Sequence, residues 1–208
     1  MNLRLLLISH AATAAMRAGR FPADDPLDAR AREEVQAARS RLPIADDAIA
    51  FVSPALCARE TSRALGLAAR TDAALADIDY GNWRGRRLSE LAKHAPDVLA
   101  AWTRDPDAVP HGGESFAQVV KRIGNWLDAL AVHVPLDLHD GPHVTADNAS
   151  VVTRAVVAVT HAPVIRAAIV HVLGASPEIF SSIEIAPLAA VEMRHSRQRG
   201  WTWWPGAT

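Results

Sequence analysis

Two apolar runs in the chain end in the same way. Leu5-Leu6-Leu7-Ile8 runs into Ser9-His10, and the small residues Ala11 and Ala12 follow. Ala155-Val156-Val157-Ala158-Val159 runs into Thr160-His161, and Ala162-Pro163 follows. Runs this short, with no polar alternation, predict strands buried on both faces. Ala48 to Val52 reads as a third buried strand, punctuated by Ser53-Pro54. Pro163 falls in the first turn of the helix after His161, where a missing N–H leaves no bond unmade.

Between the strands the period changes to that of a helix. Leu27, Ala31, Val35, Ala38 and Leu42 recur at helical spacing, and Pro43 stops the pattern. A helix is expected from Ser53 to Ala69, with Ser53 as N-cap and Pro54 at the first position. Leu88 to Asp105 reads as helical with an interruption at Pro96. Phe116, Val119, Val120, Ile123, Trp126, Leu127 and Leu130 mark one face of a long helix from about Glu114 to His133. Val164 to Leu173 is a further helix, closed by Gly174. Short runs at Ser182–Ile185, Ala190–Arg194 and Trp201–Trp204 read as edge strands of the same sheet. The tryptophans of the last run read as packing rather than as a ligand platform.

Composition narrows the class. A length of 208 residues suits one domain, and 50% hydrophobic with 22% charged residues supports a sizeable core. A net charge of −1 gives no electrostatic case for nucleic acid or an anionic membrane. Cys57 is the single cysteine, so no internal disulfide is expected, which fits a reducing cytoplasm. No secretory signal and no span of the ~20 apolar residues a bilayer needs is read. The expected setting is cytoplasmic, with a small-molecule substrate or ligand, no cofactor, and a homodimer.

Ligands of open α/β sheets lie just past the carboxyl ends of strands. If the first strand and the Val156 strand are neighbours, His10 and His161 face each other over that edge. Three further stretches carry recognisable punctuation: Ser53-Pro54-Ala55-Leu56-Cys57-Ala58-Arg59-Glu60-Thr61, Asp77-Ile78-Asp79-Tyr80-Gly81-Asn82-Trp83-Arg84-Gly85, and Gly112-Gly113-Glu114-Ser115. Taken in order with the two histidine stretches, they resemble the histidine phosphatase superfamily, also called phosphoglycerate-mutase-like, over nearly the whole chain.

The resemblance implies an α/β three-layer sandwich, a mostly parallel central sheet flanked by helices. It implies one domain over residues 1–208 with a helical cap insertion around 80–115. It assigns His10 as the nucleophile that forms a phosphohistidine, His161 as its oxyanion partner and Asp77 as the acid. Ser9, Thr13, Cys57, Ala162 and Ser115 fall at substrate-binding positions. Ser9 and Cys57 stand where the family carries its phosphate-gripping arginines, and Asp77 stands where it carries Glu. Charge-assisted hydrogen bonds contribute roughly 1.5–3 kcal/mol each, so this loss is large. Arg84, Arg86, Arg87 and Arg166 are the candidate replacement cations, although the Arg84–Arg87 run reads first as a solvated face.

Three readings stay open at this level. The first is a phosphomonoester hydrolase with recruited cations. The second is an enzyme using His10, His161 and Asp77 for acid–base work on a non-phosphate substrate. The third is an inactive ligand-binding protein. Without flanking arginines, the two histidines are expected to share a proton more readily. Cys57, in the first turn of a helix, could have a lowered thiol pKa, but the favoured reading is an inert buried thiol. Two imidazoles and a carboxylate could hold a metal, but no metal-ligand spacing falls within one element, so no metal is expected. Asp137, His139, Asp140 and His143 read as a polar loop.

Overall fold

The computed structural model describes residues 2–133 and 153–205. In chain order these form β1 (Asn2–Ser9), α1 (Ala14–Arg17), α2 (Ala29–Arg39), β2 (Ile49–Val52), α3 (Leu56–Ala64), β3 (Arg70–Thr71), α4 (Leu88–His94), α5 (Pro96–Arg104), α6 (Phe116–His133), β4 (Thr153–Thr160), α7 (Ala162–Leu173), β5 (Ala190–Ser196) and β6 (Gly200–Trp204). The strands make one sheet in the order β3-β2-β4-β1-β5-β6. β1, β2, β3 and β4 run parallel, β5 runs antiparallel to β1, and β6 reverses again against β5.

The unbroken apolar run of β1 divides between two cores, because successive side chains leave opposite faces of a strand. Leu3, Leu5 and Leu7 pack with Val156, Ala158 and Met193 under α6 and α7. Leu6 and Ile8 pack with Val157, Val159, Ala50 and Val52 under α2 and α3. Helices therefore cover both faces, and the three-layer α/β arrangement follows. Phe21, Trp83 and Leu91 form a smaller separate cluster with Tyr80, Leu99 and Trp102 from the 80–115 stretch.

Most expected elements form, and three differ. The helix after β2 starts at Leu56, not at Pro54, with Ala55 as its N-cap and no side-chain cap. Ser53 stays in the extended chain, where its hydroxyl is put to another use. The run Ser182–Ile185 is not a strand. A 3-10 turn over Pro177–Ser182, begun by Ser176 and Pro177, carries the chain there. Ile183 and Ile185 satisfy their apolar character by packing on the α6–α7 core without strand pairing. In the 11–26 stretch a short helix forms, with Thr13 Oγ1 accepting from the Met16 amide. The Asp137–His143 stretch lies outside the described residues. Among the described residues, no helix is long and apolar enough to cross a membrane.

Candidate active site

Strand register brings the histidines together. Ser9 of β1 is level with Thr160 of β4, and the His10 amide donates to the Thr160 carbonyl at 2.9 Å. The two imidazoles then leave neighbouring strand ends with ring centroids 4.9 Å apart and planes at 65°. Both are buried, His10 at 6% and His161 at 2% exposure.

Each ring is held by one partner. His10 Nδ1 lies 2.8 Å from the Ala11 carbonyl oxygen. A carbonyl can only accept, so Nδ1 carries the proton and the neutral ring keeps its lone pair on Nε2. His161 Nε2 lies 2.8 Å from Ser53 Oγ. The Ser53 amide donates to Val159 at 2.9 Å, which fixes that hydroxyl beside the ring. His161 Nδ1 faces Asp77 Oδ2 at 3.4 Å but closes no hydrogen bond.

Asp77 reaches the pair from the loop after the 3-10 turn Ala73–Leu75. Arg122 of α6 clasps that loop by donating through Nη1 to the carbonyls of Ala74 at 2.5 Å and Ala76 at 3.1 Å. The same guanidinium holds both oxygens of Glu114, at 2.9 and 2.7 Å. The Glu114 amide donates to the Asp79 carbonyl at 2.9 Å. Gly113 permits this contact, since a Cβ there would lie 2.0 Å from the Asp79 oxygen.

Burial sets the protonation states. Desolvation lowers His10 to about 4, helped by the neighbouring His161 and opposed by the Ala11 hydrogen bond and Asp77. Desolvation lowers His161 to about 3, with Arg122 adding to the effect. Both rings are therefore neutral near pH 7. This runs against the expectation that they share a proton once the flanking arginines are gone, because burial, the largest cause, disfavours the cation on either ring. Asp77 moves the other way, up to about 6, because burial outweighs the opposing influence of His10 and the Ile78 amide. Cys57 is pushed up to about 12 by burial and then by Asp77, so it is not an activated thiol, despite its place in the first turn of α3.

Two basins open beside the histidines and share His10, Met16, Pro22, Asp77, Tyr80 and His161. The first, about 360 Å³, is lined by Thr13, Cys57, Asp24, Asp25, Asp79 and Arg84 among others. The second, about 340 Å³, is lined by Ser9, Ala162, Arg20, Arg166 and the rings of Phe21 and Trp102. Thus Ser9, Thr13, Cys57 and Ala162 reach the site, and Ser115 does not. Its hydroxyl accepts from the Gln118 amide at 3.1 Å while Gln118 Oε1 accepts from the Ser115 amide at 2.7 Å. Ser115 is thus committed to starting α6. Arg84 and Arg166 each line one basin, whereas Arg86 and Arg87 are exposed and line neither.

Several groups at the site carry no signal in the sequence. Ser53 reads in the sequence as a helix cap, whereas its hydroxyl lies against His161. Asp24 approaches the site with φ +64°, and its Oδ1 accepts from the Leu56 amide at 2.7 Å, supplying the anion at the start of α3. Glu114 and Arg122 brace Asp77 from outside the basins.

The chain matches the profile of the Histidine phosphatase superfamily (branch 1) over residues 5–204. It belongs to that superfamily. A phosphoserine phosphatase 1 of Hydrogenobacter thermophilus is 26% identical over 134 residues, covering 61% of this chain and 64% of that protein. A glucosyl-3-phosphoglycerate phosphatase of Mycobacterium tuberculosis is 33% identical over 70 residues, 34% of this chain and 31% of that protein. The bifunctional protein Rv2228c of Mycobacterium tuberculosis is 35% identical over 71 residues, 34% of this chain but only 20% of its own length. Among solved structures, mycobacterial hydrolase 1 superposes with a TM-score of 0.80 at 22% identity over 100% of both chains. Mycobacterial glucosyl-3-phosphoglycerate phosphatase gives 0.79 at 22% identity, over 98% of this chain and 97% of that one. At these identities the likeness is one of fold.

Proposed function

We propose that this histidine phosphatase superfamily member hydrolyses phosphomonoesters through a phosphohistidine at His10. The observation that carries the reading is the His10 ring itself. Its Nδ1–H is tied to Ala11, its Nε2 lone pair is free, and burial keeps it neutral. Nε2 attacks phosphorus while the ester oxygen leaves with the proton of Asp77. Water, deprotonated by the Asp77 carboxylate, then attacks the phosphohistidine, releasing phosphate and restoring both groups. His161, oriented by Ser53, contacts the phosphoryl oxygens.

The charge lost with the family's arginines is met in part by Arg166. Its Nε is buried and has no hydrogen-bond partner, and the residue lines the second basin beside both histidines. An unsatisfied buried donor needs a reason, and an absent anion supplies one. The start of α7 at Ala162 adds backbone amides and a favourable dipole. Phe21, Tyr80 and Trp102 would take an apolar alcohol portion. That relatives act on phosphoserine and glucosyl-3-phosphoglycerate by name supports the reaction class.

One observation favours the second reading. The first basin sets Asp24, Asp25, Asp77 and Asp79 against Arg84, a field that suits a neutral or cationic substrate handled by acid–base transfer among His10, His161 and Asp77.

The deciding experiment is phosphate release from a broad panel of phosphomonoesters, with mass spectrometry of His10 during turnover and His10→Ala alongside. Release that His10→Ala abolishes, with a phosphorylated His10, is expected. No release above the variant's background from folded protein overturns the phosphatase reading.

A further inference from the structure

We propose that His10, Cys57 and His161 form a binding site for a borderline-soft divalent cation of the zinc type. The three side chains converge from the ends of β1 and β4 and from the first turn of α3, each offering one donor atom, and these atoms lie within 4.8 Å of one another. Tetrahedral zinc with two imidazole nitrogens and one thiolate needs donors about 3.3–3.8 Å apart. A contraction of about 1 Å closes the cluster around an ion of that geometry.

The surroundings fit a ligand set. All three residues are buried, Cys57 at 6%. A ligating histidine characteristically gives its other ring nitrogen to a carbonyl or hydroxyl, which fixes tautomer and orientation. His10 does so with Ala11, leaving Nε2 free. His161 does so with Ser53. A second observation is independent of the thiol. His161 Nδ1 is a buried polar atom without a hydrogen-bond partner, it lies 3.4 Å from Asp77 Oδ2, and both residues line the first basin. Asp24, Asp25, Asp77 and Asp79 outnumber Arg84 in the lining of that basin, so its field draws cations and leaves a carboxylate or water for the fourth position. No spacing within one element announces the site, because β1, β4 and α3 contribute one ligand each. Cys57 is decisive, since it converts two imidazoles into a soft three-donor set.

On binding, a metal–sulfur bond forms, the Cys57 S–H bond breaks, and its proton passes to solvent. No oxidation occurs. The ion uses a histidine nitrogen that the phosphatase reading reserves for phosphorus, so occupancy opposes phosphotransfer at His10. The site does not depend on that reading.

The test uses the full chain, stripped with a chelator and titrated with Co²⁺ as a spectroscopic probe. Because Cys57 is the chain's single cysteine, any thiolate-to-cobalt charge-transfer band reports this residue. Surface histidines cannot produce it. The expected result is that band together with intensified ligand-field bands, saturating at one ion per chain and displaced by Zn²⁺. Cys57→Ser should remove the charge-transfer band and weaken Zn²⁺ binding by at least ~10²-fold, and His10→Ala should weaken it by a similar factor. Circular dichroism confirms that each variant is folded. A folded wild-type protein with no charge-transfer band, or His10→Ala with unchanged affinity, overturns the proposal. Neither outcome bears on phosphate release, which is measured separately in metal-free buffer.

Discussion

Arg122 grips Glu114 with two charge-assisted hydrogen bonds while its third nitrogen holds the carbonyls of Ala74 and Ala76. It thereby joins the start of α6 to the loop that presents Asp77. Arg122→Ala leaves Glu114 and two carbonyls without that donor, at a cost of about 2 kcal/mol. For a chain of this size, that lowers Tm by roughly 4–8 °C. Its positive charge also holds down the Asp77 carboxyl, so removal moves the Asp77-dependent limb of a pH–rate profile upward. Calorimetry checks the first effect and kinetics the second. A fall in Tm with an unmoved limb would leave Arg122 with a purely structural role.

Stability should fall in mild acid. His10 and His161 have folded pKa values near 4 and 3, below the ordinary 6.5. The unfolded chain therefore binds more protons below about pH 6.5, and folding loses stability as pH drops toward 4. Asp77 acts oppositely. Its folded value of about 6 lies above 3.8, so its burial penalty is full above pH 6 and disappears as pH falls toward 4. Two histidines outweigh one carboxyl, and the net loss from pH 7 to 4.5 is of order a few kcal/mol. Urea titrations at the two pH values measure it. His161→Ala should show a distinctly smaller loss than wild type, and an equal loss would assign the acid sensitivity elsewhere.

The parts legible in the sequence are those fixed locally. The runs ending at His10 and His161 declare buried strands, and their adjacency needs only β1 beside β4. Gly174, at φ +59°, ends α7 as the pattern implies. The parts that were not legible depend on strand order or on long-range contact. Ser53 looks like a cap until β2 is placed beside β4, which puts its hydroxyl against His161. Glu114 and Arg122 are eight residues apart, and Glu114 precedes the helix, so no helical-neighbour rule pairs them. Ser115 sits in a motif with a site-like sequence, but its short-range partner Gln118 claims the hydroxyl. The neutral histidines were also hidden, because burial depth is not written in residue identity.

If Asp77 donates the proton to the leaving oxygen, hydrolysis requires His10 neutral and Asp77 protonated. Those states coexist between about 4 and about 6. The kcat/KM profile should be a bell with its maximum in that interval. In Asp77→Asn the alkaline limb disappears and the rate falls. An unaltered limb in Asp77→Asn would give the acid role to another group.

Arg166 should matter to catalysis and little to stability. Its Nε bonds to no protein group, and methionine keeps much of the half-buried stem, so Arg166→Met should change stability by about 1 kcal/mol or less. If it contacts the transferring phosphoryl group, kcat/KM falls by ~10²–10³. Arg166→Lys should recover only part, because a point charge lacks the planar fork. Unchanged kinetics in both variants would shift the anion grip to Arg84 in the first basin.

Cys57→Arg tests the cost of the lost guanidinium directly. The thiol lines a basin of about 360 Å³ together with Asp24, Asp25 and Asp77. There is room for a longer side chain, and carboxylates are present to compensate its charge. A guanidinium there would supply donors to a phosphoryl group on Nε2 of His10, and a single such contact is worth ~10²–10³ in rate when optimally placed. Placed without optimisation, it should raise kcat/KM for phosphomonoesters by about 10-fold or more. The same substitution removes the sulfur and should abolish the cobalt charge-transfer band. Gain of phosphatase activity with loss of the band would mean that position 57 chooses between an anion and a cation in one pocket. A folded variant with lower phosphatase activity would mean that the phosphoryl group does not approach from the α3 side.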